Sequence, residues 1–66
     1  MRIEFWKITN GRPSMLAERE WPAAPRIGDS LELVLPDTFH AIAKDVQFVD
    51  MPRVGLVVRV VLEPQP

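Results

Sequence analysis

The stretch Arg53–Pro64, RVGLVVRVVLEP, decides how this chain is read. A strand with one wet face alternates apolar and polar side chains, because successive Cβ atoms point to opposite faces. Here Val54, Leu56, Val58, Val60 and Leu62 fall on one face, and Gly55, Val57, Arg59 and Val61 on the other. Both faces are apolar, with one arginine set into the second. One face suits a core, and the second needs a cover of its own.

The N-terminal stretch Arg2 to Thr9 poses the same question. Ile3 and Phe5 share one face, Trp6 and Ile8 the other, and the segment stops at Asn10-Gly11, a pair suited to turns that need positive φ. Barrel closure places first and last strands side by side. Their outward residues, Trp6 and Ile8 (or Ile3 and Phe5) with Val57, Arg59 and Val61, then form one apolar patch. The bet falls on Trp6, Ile8, Val57, Arg59 and Val61.

Prolines at 13, 22, 25, 36, 52, 64 and 66 cut the chain into pieces of strand length. Proline removes a backbone donor and favours turns and strand ends, so the pattern suggests a β meander. Residues 14–21, SMLAEREW, read as a strand, with a two-turn helix capped by Ser14 and stopped by Pro22 as the competing reading. As a strand, Met15, Ala17, Arg19 and Trp21 share one face, and Leu16, Glu18 and Glu20 the other. PAAP, 22–25, is a loop. Gly28-Asp29 is a turn before a strand with Leu31, Leu33 and Leu35 inward and Ser30, Glu32 and Val34 outward.

After a turn at Pro36-Asp37, TFHAIAKDVQFVD reads as one long strand whose parity breaks near Lys44-Asp45 at a bulge or bend. A short helix at 38–44 competes, since Phe39, Ile42, Ala43 and Val46 also fit helical spacing. DMPR, 50–53, turns into the closing strand 54–62, and the Pro-Gln-Pro tail is expected to fray. The expected fold is all-β: one domain over 1–66, a small antiparallel barrel of about five strands, SH3-like or OB-like in size, with one short helix as an allowed addition.

Sixty-six residues are few for a self-sufficient core, since such a chain buries only roughly 60% of its unfolded surface. No cysteine is present, so neither disulfides nor thiolate metal sites reinforce it. Apolar residues make up 47% of the chain, ample for folding and against disorder. The formal net charge of −1 supplies no global basic field. Five Lys/Arg against three Glu in 1–26 give +2, and three against six acidic residues in 27–66 give −3. No run approaches the ~20 apolar residues of a membrane span, and MRIEFWKITNGRP lacks the features of a signal peptide, so a cytoplasmic location is expected.

Catalytic chemistry has little to draw on. His40 is the single histidine, with Asp37, Thr38 and Asp45 near in sequence, and neither Ser14 nor Ser30 sits in a nucleophile motif. One histidine and scattered carboxylates do not complete a zinc site, and no calcium-loop or phosphate-loop spacing appears. No enzyme activity, metal or cofactor is expected.

Two functions remain. Apolar patches on the order of a few hundred Å² on small proteins mark interfaces, and aromatic and arginine anchors are what interface cores favour. The first reading is therefore a non-enzymatic, protein-binding or self-associating module: an accessory, phage-type structural or inhibitor protein, with a homo-oligomer as its simplest form. The alternative is a barrel binding single-stranded nucleic acid, with bases stacked on Trp6 and Trp21 and phosphates on Lys7, Arg12, Arg19 and Arg26.

Overall fold

The computed structural model describes residues 1–65. Five strands follow one another: β1 Arg2–Thr9, β2 Arg12–Glu20, β3 Ser30–Val34, β4 Thr38–Met51 and β5 Gly55–Pro64. They form one curled sheet in the order β2-β1-β5-β4-β3, a half-barrel with β5 at its centre. Both segments that also fitted a helix are strand. Tertiary burial overrides helix propensity in each: Leu16 and Ala17 pack against the core from β2, and Ala41 and Ala43 are buried in β4.

Asn10 and Gly11 carry φ of 53° and 76°, the two successive positive values that a tight hairpin with the right-handed strand twist requires. Arg26 to Asp29 forms the second turn read from sequence. Asp29 N–H donates to Arg26 O at 3.0 Å, the Arg26 N–H donates to Asp29 Oδ2 at 2.8 Å, and Gly28 takes φ of 95°. Ile27 sits at the tip and is thrust outward, 66% exposed.

Three strand pairs are antiparallel, but β1 and β5 run parallel, Arg2 beside Val57 through Lys7 beside Leu62. The direction follows from the path. The β2–β3 connection carries the chain from one sheet edge to the other, and it crosses the concave face on the way. Trp21 and Ala24 of that connection pack on the core, and the Trp21 ring lies 5.1 Å from Phe5 in a tilted stack. The PAAP loop thus covers the inner face. The seam between β2 and β3 has no ladder across it; Arg19 Nη2 reaches over to donate to Val34 O at 3.2 Å.

Ile3, Phe5, Leu33, Ala41, Ala43, Val58, Val60 and Leu62 make the core on the concave side, with Leu31 and Leu35 packed against it. Each large member contributes roughly 1.5–3 kcal/mol by leaving water. The inward set expected for β3 is the observed one, and β1 resolves to Ile3 and Phe5 inward. Val54 and Leu56 share the parity of Val58 but are exposed, because the β4–β5 hairpin projects past the end of β1.

Two bulges interrupt the alternation. Ala43 pairs with Leu62 and Asp45 with Val61, leaving Lys44 as the extra residue at the expected break. Phe5 pairs with Ala17 but Trp6 with Met15, leaving Leu16 extra. This second bulge puts Met15 and Ala17 on opposite faces, where simple alternation joined them. The tail differs from its expectation as well. Pro64 pairs with Ala41 and Gln65 N–H donates to His40 O at 3.0 Å, so the closing strand runs further; Pro66 lies outside the described residues. Among the described residues, no helix is long and apolar enough to cross a membrane.

Candidate functional site

The convex face answers for the second side of RVGLVVRVVLEP. Register places Arg2, Glu4, Trp6 and Ile8 of β1 beside Val57, Arg59 and Val61 of β5, and the latter beside Val49, Gln47 and Asp45 of β4. Pro13 and Met15 of β2 flank Ile8 and Trp6. No segment of the described chain folds over this surface as the PAAP loop does over the concave one.

Its polar centre is Glu4. One carboxylate oxygen, Oε1, accepts from Arg59 Nε at 3.0 Å and from Trp6 Nε1 at 3.1 Å. The Arg59 guanidinium carbon also lies 5.9 Å from the Trp6 ring centroid, within cation–π range. Arg59 thus bridges to a carboxylate and also lies over an aromatic ring. Both contacts are made within its own chain. The Glu4 side chain is only 13% exposed, so this ion pair is held drier than most surface pairs. A second pair, Arg2 Nε to Glu18 Oε2 at 3.0 Å, braces the adjoining edge.

The five patch residues are not equivalent. Val57 is 0% exposed although it lies outside the core cluster. It lies on the central strand, with Arg2 and Val49 as its register neighbours on the two flanking strands. Trp6, Arg59 and Val61 are half-buried, and Ile8 is 53% exposed. Trp6, Ile8, Pro13, Asp45, Gln47, Arg59 and Val61 line a shallow groove of about 310 Å³. Pro13 and Met15, 45% exposed, extend the apolar surface. Sequence reasoning passed over them because the Leu16 bulge decides which face Met15 takes.

The nucleic-acid set does not share a face. Trp6 is convex, while Trp21 packs on Phe5 on the concave side. Arg19 is engaged with Glu18 O and Val34 O at 2.7 and 3.2 Å. Lys7 shares the parity of Ile3 and Phe5, Arg12 opens β2 beside the hairpin turn, and Arg26 sits in the β2–β3 loop. Two stacking platforms on opposite faces do not make one groove.

His40 has a carboxylate partner, but across the strands. Its Nδ1 lies 3.3 Å from Glu32 Oε1, both side chains more than half exposed, rather than beside Asp37 or Asp45. Among the described residues, no three metal-ligating side chains cluster.

Fold and face together define a small all-β half-barrel with an aromatic–arginine centre on its outer surface. No protein-family model matches the chain, and no curated protein or solved structure matches it either.

Proposed function

We propose that this chain is a non-enzymatic module that binds protein through its convex face, with Trp6, Ile8 and Val61 as the apolar contact, Pro13 and Met15 beside them, and Arg59 as a pre-positioned polar anchor. The observation that carries the reading is the Glu4–Arg59–Trp6 arrangement. An arginine held by its own carboxylate and aromatic neighbour loses little conformational freedom on binding, and ordering such a side chain otherwise costs about 0.5–1.5 kcal/mol. Tryptophan and arginine at the centre of an exposed apolar patch are the usual energetic anchors of interfaces. A chain without cysteine fits a reducing, cytoplasmic setting.

The test is affinity capture from a lysate of the source cells with wild type, Ile8→Glu and Val34→Glu. Val34 is exposed but lies on β3, away from the patch. A partner retained by wild type and Val34→Glu and lost by Ile8→Glu supports the reading. A partner lost equally with both variants, or with neither, overturns it.

A further inference from the structure

The convex groove does not stop at Trp6 and Arg59. A second hollow, of about 500 Å³, adjoins it and shares Ile8, Asp45 and Val61 with it; Lys44, Glu63 and Pro64 form its far end. Trp6, Val61 and Asp45 are register partners across β1, β5 and β4, and they form the middle of this trough. Arg59 and Glu63 stand two residues to either side of Val61 on β5.

The charges along the trough are unevenly matched. At one end Glu4 answers Arg59 at 3.0 Å, and a carboxylate only 13% exposed keeps that charge committed within the chain. At the other end Asp45 and Glu63 are both exposed, and they belong to none of the ion pairs among the described residues. Asp45 Oδ1 accepts from the Val46 main-chain N–H at 3.0 Å, a bond that orients the carboxylate and leaves its charge in place. Lys44, also exposed, is the one basic side chain lining that hollow, so two negative charges stand against one positive. Pro64 adds no main-chain N–H there. The apolar middle is thus bounded by a neutralised pair on one side and by an excess of acceptors on the other.

An acidic segment or a phosphate would meet Asp45 and Glu63 while the charge of Arg59 is already matched. Resting on the protein-binding reading of this face, we propose that its occupant is a partner segment with a lysine or arginine two residues from a bulky aliphatic side chain. The aliphatic group lies on Trp6, Ile8 and Val61. Alternate side chains of an extended segment are about 7 Å apart, the same span as Val61 to Glu63 on β5, so the cation falls beside Asp45 and Glu63. Arg59 holds Glu4 through Nε, and its terminal nitrogens donate to main-chain carbonyls of the segment.

The test is selection from a random peptide library displayed on phage, followed by titration calorimetry of the enriched peptides. The baits are wild type, Asp45→Asn, Lys44→Gln, Ile8→Glu and the double variant Asp45→Asn, Glu63→Gln. All four positions are exposed, and Asp45→Asn keeps an acceptor for the Val46 N–H, so the fold tolerates the changes. Peptides enriched on wild type are expected to carry Lys or Arg two residues from Leu, Ile, Met or Val. Asp45→Asn weakens them by about two- to fivefold at low salt and the double variant by roughly tenfold, whereas Lys44→Gln strengthens them by about twofold. Added salt shrinks these differences. Enriched peptides without an excess of basic residues overturn the proposal, as do basic peptides that bind the double variant as tightly as wild type. A library that yields no enriched peptide overturns it too. Ile8→Glu separates this outcome from the parent reading. Peptides that need Ile8 but carry no cation remove the cationic partner and leave the face a protein-binding surface; peptides indifferent to Ile8→Glu bind elsewhere and count against both.

Discussion

Glu4 and Arg59, 55 residues apart in sequence, meet at 3.0 Å across the one parallel strand pair of the fold. Glu4 and Arg59 are register partners there, so the ion pair depends on the alignment of β1 with β5. Trp6 joins it by donating to the same carboxylate oxygen.

Removing that carboxylate strands two donors in a partly dry setting. Glu4→Ala is expected to lower stability by about 1–2 kcal/mol, and Glu4→Gln, which keeps an acceptor, by less. Urea denaturation followed by circular dichroism measures both. Equal midpoints for wild type and Glu4→Ala would show that the centre orders Arg59 without stabilising the fold.

Val57 and Ile8 lie on the same face of neighbouring strands but differ in burial, 0% against 53% exposed. Val57→Glu forces a carboxylate into a site without water, so a loss above about 3 kcal/mol is expected, enough to unfold a domain this small. Ile8→Glu should change stability by no more than about 0.5 kcal/mol. A folded Val57→Glu with an unchanged denaturation midpoint is the result that contradicts this burial.

Turn chemistry supplies a pair of opposite effects. Gly11 sits at φ 76°, so Gly11→Ala places a Cβ in the left-handed region and is expected to cost about 1 kcal/mol. Arg53 occupies φ 71° without being glycine, in the turn where Val54 N–H donates to Met51 O at 3.3 Å. Arg53→Gly relieves that strain and is expected to raise stability by up to about 1 kcal/mol, less the entropy glycine adds to the unfolded chain. Thermal melts of the two variants should move in opposite directions.

Because Trp6 and Trp21 are on opposite faces, a single-stranded oligonucleotide cannot stack on both in one groove. Titration with oligothymidylate at low salt is expected to leave tryptophan fluorescence unchanged. Saturable quenching that is lost in Trp6→Ala and weakened by added salt would instead restore the nucleic-acid reading.

Much of this architecture is written locally. Asn10-Gly11 and Gly28-Asp29 mark turns because few residues tolerate positive φ. Leu31, Leu33 and Leu35 show their face because the pleat has a period of two, and the break at Lys44 is visible because the parity of the apolar residues changes there. Trp6, Ile8, Arg59 and Val61 could be named as outward for the same reason, once Ile3 and Phe5 are taken as the better core. Other features depend on strands far apart in sequence. The extra residue at Leu16 exists only as a mismatch between β1 and β2, and it alone brings Met15 to the convex face. Val57 has the alternation of a surface residue, yet it is fully buried on a central strand flanked by Arg2 and Val49. Phe48 has the alternation of a core residue, yet β4 outruns β3 and leaves it bare. Local sequence determined which side of its own strand each residue takes. The tertiary structure decided which strands lie alongside and how far they reach, because burial is set by neighbours across the sheet and not by the residue itself.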